Sequence, residues 1–273
     1  MFVVTGATGN VGGHVVKELV AAGAEVCALT RDPETARLPE GVRVARTDDL
    51  PLEGATALFL NPAVVWEMGE GKVLERAKKA GVRRIVMLSS SSVLDAGPGN
   101  LIGARHRDLE TAIEGTGLEW TFVRPGAFAA NALQWVDQFK TGDVVYGPYA
   151  EAHTAPIHEA DMGAVAARAL LGDDLVGQAP VLTGPESLTF ADQVRIIGEA
   201  IGRPLRYEEI PREAARERMT SGFLTPEVAD SLLNIFAEFV GKPAEISQET
   251  ERITGRPART FEQWAREHVH VFR

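Results

Sequence analysis

Residues 2–12 read Phe2-Val3-Val4-Thr5-Gly6-Ala7-Thr8-Gly9-Asn10-Val11-Gly12, an apolar β-like run followed by glycines at every third position. An amphipathic helical pattern then continues to about Ala22. Each glycine has a separate use in such a turn. Gly6 permits the tight reversal, and Gly9 lets the backbone approach a pyrophosphate with no Cβ in the way. Gly12 lets the helix pack closely on the strand. The helix start, with Thr8, Asn10 and Val11 between the glycines, offers free N–H groups and a positive dipole end to phosphate. Glycine spacing alone is weak evidence. A strand before it and a helix after it supply the context of a dinucleotide-binding turn.

Working outward, further β-like runs fall at 25–30, 42–46, 57–60, 84–89 and 119–124, and helical patterns at 10–22, 67–80 and 104–115. Several runs are apolar throughout, as strands covered by helices on both faces should be. The alternation predicts an α/β chain with a Rossmann-type, doubly wound parallel sheet. After Arg124-Pro125-Gly126 the pattern changes. A helix is expected over 161–171, a short strand at 179–183, a helix capped by Thr189 to about Ile201, and a strand at 205–210. Thr225-Pro226-Glu227 starts another helix, and Thr260-Phe261-Glu262-Gln263 fits a capping box. The expected division is a dinucleotide-binding domain over 1–150 and a smaller, mostly helical substrate lobe over 151–273, with about 160–184 returning to the main sheet.

The 273 residues are 45% hydrophobic and 24% charged, ordinary for a soluble globular protein, and need no staples to bury a core. A net charge of −10 argues against a nucleic-acid surface. It also requires cations placed locally wherever a phosphate binds. The single Cys27 rules out an internal disulfide and fits a reducing compartment. No charged n-region precedes the first apolar run, and no stretch approaches the roughly 18 apolar residues of a membrane span. A cytoplasmic protein without membrane attachment is expected; its oligomeric state is left open. His268 and His270 have no carboxylate or thiol cluster beside them, so no metal is expected.

At the tip of the second β-like run stand Arg31 and Asp32. An acid at this tip bonds the ribose hydroxyls of NADH, whereas an arginine accommodates the 2′-phosphate of NADPH with its fork of donors. Arg31 holds the tip itself, which favours NADPH over NADH. The competing reading makes Arg31 a solvated loop charge and gives the ribose to Asp32.

With these residues in place, the chain resembles the NmrA-like branch of the short-chain dehydrogenase/reductase superfamily over nearly its whole length. The likeness rests on Gly6–Gly12, Arg31-Asp-Pro33, Asp48-Asp-Leu50, Val86-Met-Leu-Ser-Ser90, Leu118 through Gly126, Leu182 through Thr189, and Ile253-Thr-Gly-Arg-Pro257. The resemblance implies a nicotinamide lying across the strand ends. It places Asp49 and Leu50 near adenine, and Asn61-Pro62 and Pro125-Gly126 near the ribose and nicotinamide. The superfamily's usual machinery is a serine with a Tyr-x-x-x-Lys helix, in which the tyrosine exchanges a proton with a carbonyl oxygen. Ser89, Ser90 and Ser91 follow the fifth run, where that serine belongs. Aligning Glu110 with the acid that commonly follows the lysine puts His106 at the lysine place and Ile102 at the tyrosine place. Ile102 has no proton to give. None of the tyrosines at 146, 149 and 207 has a lysine four residues later.

His106 is left with three readings: a partner of the nicotinamide ribose and thus cofactor-binding, a proton donor, or a solvated helix residue. Ser90 and Ser91 are candidate proton donors and Ser89 a cofactor contact, against the alternative that the serines only cap a turn. Trp66, Phe128, Trp135 and Tyr149 follow strand ends or enter the second lobe, and can form a flat wall for a planar substrate or simply pack the lobes. The expected function is an NADPH-dependent reductase passing hydride to a quinone or other planar conjugated acceptor without a tyrosine acid. A non-catalytic dinucleotide sensor that binds a partner protein, as the founding family member is understood to do, is the alternative. Carbonyl reduction with a substitute acid is the third.

Overall fold

The apolar runs become strands, and those at 26–30, 57–60 and 84–88 are buried throughout. The computed structural model describes residues 1–95, 99–222 and 224–273. The first half alternates β1 (Phe2–Thr5), α1 (Gly12–Ala21), β2 (Val26–Thr30), β3 (Arg43–Arg46), β4 (Ala57–Leu60), α2 (Pro62–Met68), α3 (Glu70–Lys79), β5 (Arg84–Leu88), α4 (Leu101–Glu114) and β6 (Glu119–Pro125). The second half contains α5 (Val136–Phe139), β7 (Val144–Gly147), β8 (His153–Thr154), α6 (Glu159–Leu171), β9 (Val181–Leu182), β10 (Leu188–Thr189) and α7 (Phe190–Ile201). It ends with β11 (Arg206–Glu209), α8 (Arg212–Thr220), α9 (Pro226–Glu238), α10 (Glu249–Thr254), α11 (Phe261–Glu267) and α12 (Val269–Phe272).

The main sheet runs β3-β2-β1-β4-β5-β6-β9, and every neighbouring pair is parallel. Strand order reverses between β1 and β4, so the crevice beyond their carboxyl ends is where an open α/β sheet binds ligands. One core lies on each face. Val4, Phe59, Val86 and Val123 pack with α1 and α6 on one side; Val3, Leu58, Ile85 and Phe122 pack with α3 and α4 on the other. Because α6 and β9 belong to this assembly, chain beyond residue 150 returns to the sheet. Gly163 lets α6 press on α1, since a Cβ there would lie 2.5 Å from His14 Cβ. Arg84, fully buried at the foot of β5, donates to the carbonyls of Ala169 and Gly172 and to the carboxylates of Glu119 and Asp173, which ties the end of α6 to the sheet.

The lobe has its own core of Trp135, Phe139, Phe190, Ile197, Phe261 and Trp264. Helix starts follow their sequence signals. Thr189 with Asp192 and Thr260 with Gln263 form reciprocal capping boxes, and Thr225 caps α9 with Pro226 at its first position. Three features depart from expectation. The helix expected over 67–80 is two helices, α2 starting earlier at Pro62 and α3 following a break at Gly69, whose φ is +93°. Helix α4 begins three residues early because the Asn100 side chain accepts from Gly103 N–H. Residues 144–147 and 206–209 pair as a small parallel sheet apart from the main one. Among the described residues no helix is long and apolar enough to cross a membrane.

Candidate cofactor site and acceptor cleft

The glycine turn leaves β1 with Gly6 at φ +61°, a left-handed conformation that suits glycine. A Cβ on Gly6 would meet Asn61 Nδ2 at 3.0 Å, one on Gly9 would stand 3.2 Å from Gly6 O, and one on Gly12 would stand 2.2 Å from Gly6 O. Gly12 therefore serves the turn itself more than the helix–strand contact. Among the described residues the N–H groups of Thr8, Asn10, Val11 and Gly12 have no backbone acceptor. They lie at the start of the ten-residue α1, and Thr8 and Asn10 line a cavity of about 580 Å³. Unpaired N–H groups at a helix start, with no side chain in the way, are what a pyrophosphate requires. The turn fits a dinucleotide.

The cavity continues past the tip of β2. His14, Lys17, Arg31 and Arg37 line it, against Asp32 and Glu159. Among the described residues Lys17, Arg31 and Arg37 have no carboxylate within salt-bridge distance. Asp32 is otherwise engaged, its Oδ2 accepting from Thr35 Oγ1 at 2.9 Å. The arrangement is cationic where the resemblance puts the ribose phosphate. His14 is held below its ordinary pKa, first by burial and then by the Lys17 cation, so it is a neutral group beside the turn. Glu159 enters from α6: its Oε1 accepts from Trp264 Nε1 at 3.1 Å and lies 3.4 Å from His268 Nε2. Its Oε2 is buried without a partner. Sequence reasoning missed His14, Lys17, Arg37, Glu159 and His268. The spacing of His14 and Lys17 on one face of the turn helix was the available signal; the last two are brought by long-range packing.

Asn61 caps α2, its Oδ1 accepting from Ala63 N–H and its backbone N–H donating to Thr5 Oγ1, which holds it against Gly6. Pro62 is buried at the first helical position. Leu50 has φ +40°, and its side chain is wholly buried in the sheet core, leaving its backbone, whose carbonyl accepts from Arg76 Nη2 at 3.1 Å. The neighbouring Asp49 is exposed.

The groups near the ends of β5 and β6 have committed most of their protons. Ser89 is buried and its hydroxyl donates to Glu110 Oε1 at 2.6 Å. Glu110, also buried, receives Arg124 Nε at 2.9 Å and Arg124 Nη2 at 2.6 Å. Ser90 caps the following 3-10 turn, donating to Ser92 Oγ and accepting from Ser92 N–H. Ser91 Oγ lies 3.8 Å from where a Cβ on Gly126 would stand, so it borders the Pro125-Gly126 corner. His106 Nδ1 lies 2.8 Å from Ile102 O, an acceptor only, which fixes the proton on Nδ1 and leaves Nε2 with a lone pair. Burial keeps the imidazole below its ordinary pKa. His106 is thus a neutral hydrogen-bond acceptor at Nε2.

The aromatic candidates separate. Trp66 is half exposed and meets the His106 ring edge-on at 5.2 Å. Phe128 lies just past Gly126 at the start of a 3-10 turn, half-buried. Tyr149 is half-buried, with φ +51°. Trp135 is not brought to the cleft: it is buried in the lobe core, edge-on to Phe190 and Tyr207. Cys27 is buried in β2, and burial raises its thiol pKa, as suits an inert core residue. Among the described residues no group of three or more His, Cys, Asp or Glu is placed to hold a metal ion.

Comparison with known proteins agrees with this geometry. Residues 6–173 match the NAD(P)H-binding family. The chain is 35% identical, over all of its length and 99% of the relative's, to (4-alkanoyl-5-oxo-2,5-dihydrofuran-3-yl)methyl phosphate reductase of Streptomyces griseus. It is 31% identical, with the same coverage, to the NAD(P)H azoreductase of Xenophilus azovorans. The NADPH-dependent quinone oxidoreductase QOR2 of Escherichia coli, solved with NADPH, superposes over the full length of both chains with a TM-score of 0.82 at 23% identity. With a glycine turn that fits a dinucleotide, a parallel sheet reversing beside it and full-length reductase relatives, the chain belongs to the NAD(P)H-binding family and is an oxidoreductase.

Proposed function

We propose that the protein uses NADPH to reduce a planar, conjugated, electron-poor acceptor, a quinone or an unsaturated carbonyl compound of the furanone type. The observation that carries this reading is the proton inventory at the strand ends. Ile102 has no proton, Ser89 donates its hydroxyl to Glu110, Ser90 is committed to its turn, and the neutral His106 donates its Nδ1–H to Ile102 O, which leaves Ser91 at the Gly126 corner as the remaining hydroxyl. Reduction of a simple ketone builds a basic alkoxide and gains about 10²–10⁴-fold from a positioned acid. A conjugated acceptor spreads the new charge over its π-system, so it suffers less from the lack of one. When bound, the dihydronicotinamide supplies a hydride, and the acceptor takes one further proton from solvent. The activities of the Streptomyces griseus and Xenophilus azovorans relatives, on a furanone phosphate and on azo compounds, support the same class.

In this reading the chain's own residues bind and orient. Gly6, Gly9 and Gly12 shape the turn, and the N–H groups of Thr8, Asn10, Val11 and Gly12 hold the pyrophosphate. Lys17, Arg31 and Arg37 take the 2′-phosphate, which sets NADPH above NADH. His106 Nε2 accepts a hydrogen bond from the nicotinamide ribose. Ser91, Trp66 and Phe128 border the acceptor. The lone buried thiol and the choice of cofactor suit the cytoplasm. The test is loss of reduced-nicotinamide absorbance with a naphthoquinone, an azo dye, an unsaturated furanone and aliphatic ketones. Turnover of at least one conjugated acceptor, with aliphatic ketones near the background rate, is expected. Equal turnover of aliphatic ketones, or none with any acceptor while NADPH binds, overturns the proposal.

A further inference from the structure

Arg212, the first residue of α8, joins two groups that are far apart in sequence. Its Nη1 donates to Tyr149 Oη at 3.2 Å and its Nη2 to Asn234 Oδ1 at 2.8 Å. An arginine has no acceptor, so both partners must turn an oxygen towards it. That leaves the Tyr149 hydroxyl proton and the Asn234 Nδ2 hydrogens free to point elsewhere, beside the remaining N–H groups of the guanidinium. Three donors, from α8, α9 and the turn after β7, converge with no acceptor of their own in surplus. The nearest acid, Asp230, is 3.9 Å from Arg212 and is already held by Arg216 through bonds of 2.7 and 2.9 Å. Glu209 is turned to the backbone N–H of Ala150 at 2.8 Å. Arg212 and Arg216 share Asp230, and Glu227 also acts on Arg216, so the cluster offers converging donors without an excess of positive charge.

The cluster is linked to the acceptor end of the sheet. Asn234 Nδ2 lies 3.6 Å from the Cβ position of Gly99; the next residue, Asn100, donates to Ser92 O at 3.1 Å. Ser92 follows Ser91, which borders Gly126. On the other side Tyr149 packs on the lobe core that follows the end of β6. Tyr149 also holds a left-handed φ of +51°, unusual for an aromatic residue, and the surrounding bonds fix it there.

We propose that Arg212, Tyr149 and Asn234 form the seat for an anionic substituent of the acceptor, a phosphate monoester. This rests on the reading of the protein as a reductase of conjugated acceptors and adds the charged end that such an acceptor carries. Donors from three directions match the three terminal oxygens of a phosphate, and a guanidinium is the side chain best suited to it.

The test uses the NADP⁺-saturated protein and calorimetry with two saturated, unreactive ligands: (5-oxotetrahydrofuran-3-yl)methyl phosphate and the corresponding alcohol. Wild type is expected to bind the phosphate about 10- to 100-fold more tightly than the alcohol, the scale of one charge-assisted contact. Arg212→Met should bring that ratio close to one, Arg212→Lys should restore part of it, and Tyr149→Phe should reduce it by a smaller factor. Asn234→Leu, at an exposed position, gives an independent reading should Arg212→Met fail to fold. A wild type with no preference, or variants that weaken phosphate and alcohol alike, overturns the proposal and leaves Arg212 as a staple between α8 and α9. Turnover of the unsaturated phosphate reads the reductase proposal separately. An Arg212-dependent preference without turnover would sink that reading alone; turnover without the preference would sink the seat alone.

Discussion

Replacing Ser89 by alanine separates the two roles a serine at the end of β5 can have. The hydroxyl donates to Glu110 at 2.6 Å inside the protein, where both groups are nearly free of solvent. A hydrogen bond to a charged acceptor contributes about 1.5–3 kcal/mol. Glu110 keeps both bonds from Arg124 in the variant, so the carboxylate is not left unpaired and the loss belongs near the lower end. For a chain of this size about 2–4 °C of Tm accompanies each kcal/mol, so a fall of about 3–6 °C is expected by thermal unfolding. Turnover with a conjugated acceptor should change by less than about 5-fold, because the proton removed is one the acceptor never receives. A general acid would show the reverse pattern: an unchanged Tm and a kcat reduced by about 10²–10⁴-fold. That pattern would refute the assignment of Ser89 as a structural donor, and with it the argument that the cleft works without a side-chain acid.

Gly9→Val should leave the circular dichroism spectrum intact and abolish NADPH binding, since the new side chain fills the space beside Gly6 O that the phosphates need; normal binding by calorimetry would move the phosphate site elsewhere. Arg31→Ala should narrow the preference for NADPH over NADH by about tenfold or more, the scale of one charge-assisted contact. Wild type preferring NADH would refute the assignment. For His106 the sign follows from its lowered pKa: folded protein resists the proton that unfolded chain takes up below about pH 6.5, so stability falls as pH drops through that region and is flat above it. His106→Gln should reduce that acid-side loss, and His14, lowered in the same direction, should account for part of what remains; a dependence centred above pH 7 would show that the imidazole is charged in the folded state.

Much of the fold could be read because its signals are local. The glycine turn, the Thr189 and Thr260 capping boxes and Pro226 after Thr225 each act within a few residues. What failed to show depends on distant partners. The pairing of residues 144–147 with 206–209 joins strands some 60 positions apart, and nothing within either run announces the other. Helix α8, Arg-Glu-Ala-Ala-Arg-Glu-Arg-Met-Thr, buries only Ala215 and so lacks the apolar period by which a helix is recognised. The site divides in the same way. Gly6, Gly9 and Gly12 stand in the turn where their spacing put them, whereas Glu159 and His268 reach the cavity beside it through the packing of α6 against α11. Trp135 and Trp66 look alike as aromatic residues after strand ends. Only the packing of the lobe puts one in its core and leaves the other beside His106.

The committed protons bear on where rate comes from. Ser89, Glu110 and Arg124 tie the ends of β5 and β6 to α4 with bonds of 2.6–2.9 Å, and His106 is fixed on the same helix by Ile102 O. These groups are poor donors because they are well satisfied, and for the same reason they are rigid. A reaction that needs no strong acid gains most from a nicotinamide and an acceptor held face to face, and correct placement alone can contribute on the order of 7–11 kcal/mol to lowering a barrier. The satisfied network and the missing tyrosine are then two aspects of one arrangement. On the proposed reading, side chains that would move protons in a carbonyl reductase hold the walls of the cleft instead. An acceptor anchored at its charged end by Arg212 would need only its ring aligned by Ser91, Trp66 and Phe128. On this argument, loosening the walls should cost more turnover than removing any single hydroxyl. Glu110→Ala, which strands Arg124 as well as Ser89, should therefore impair kcat more than Ser89→Ala while also lowering Tm by a larger amount.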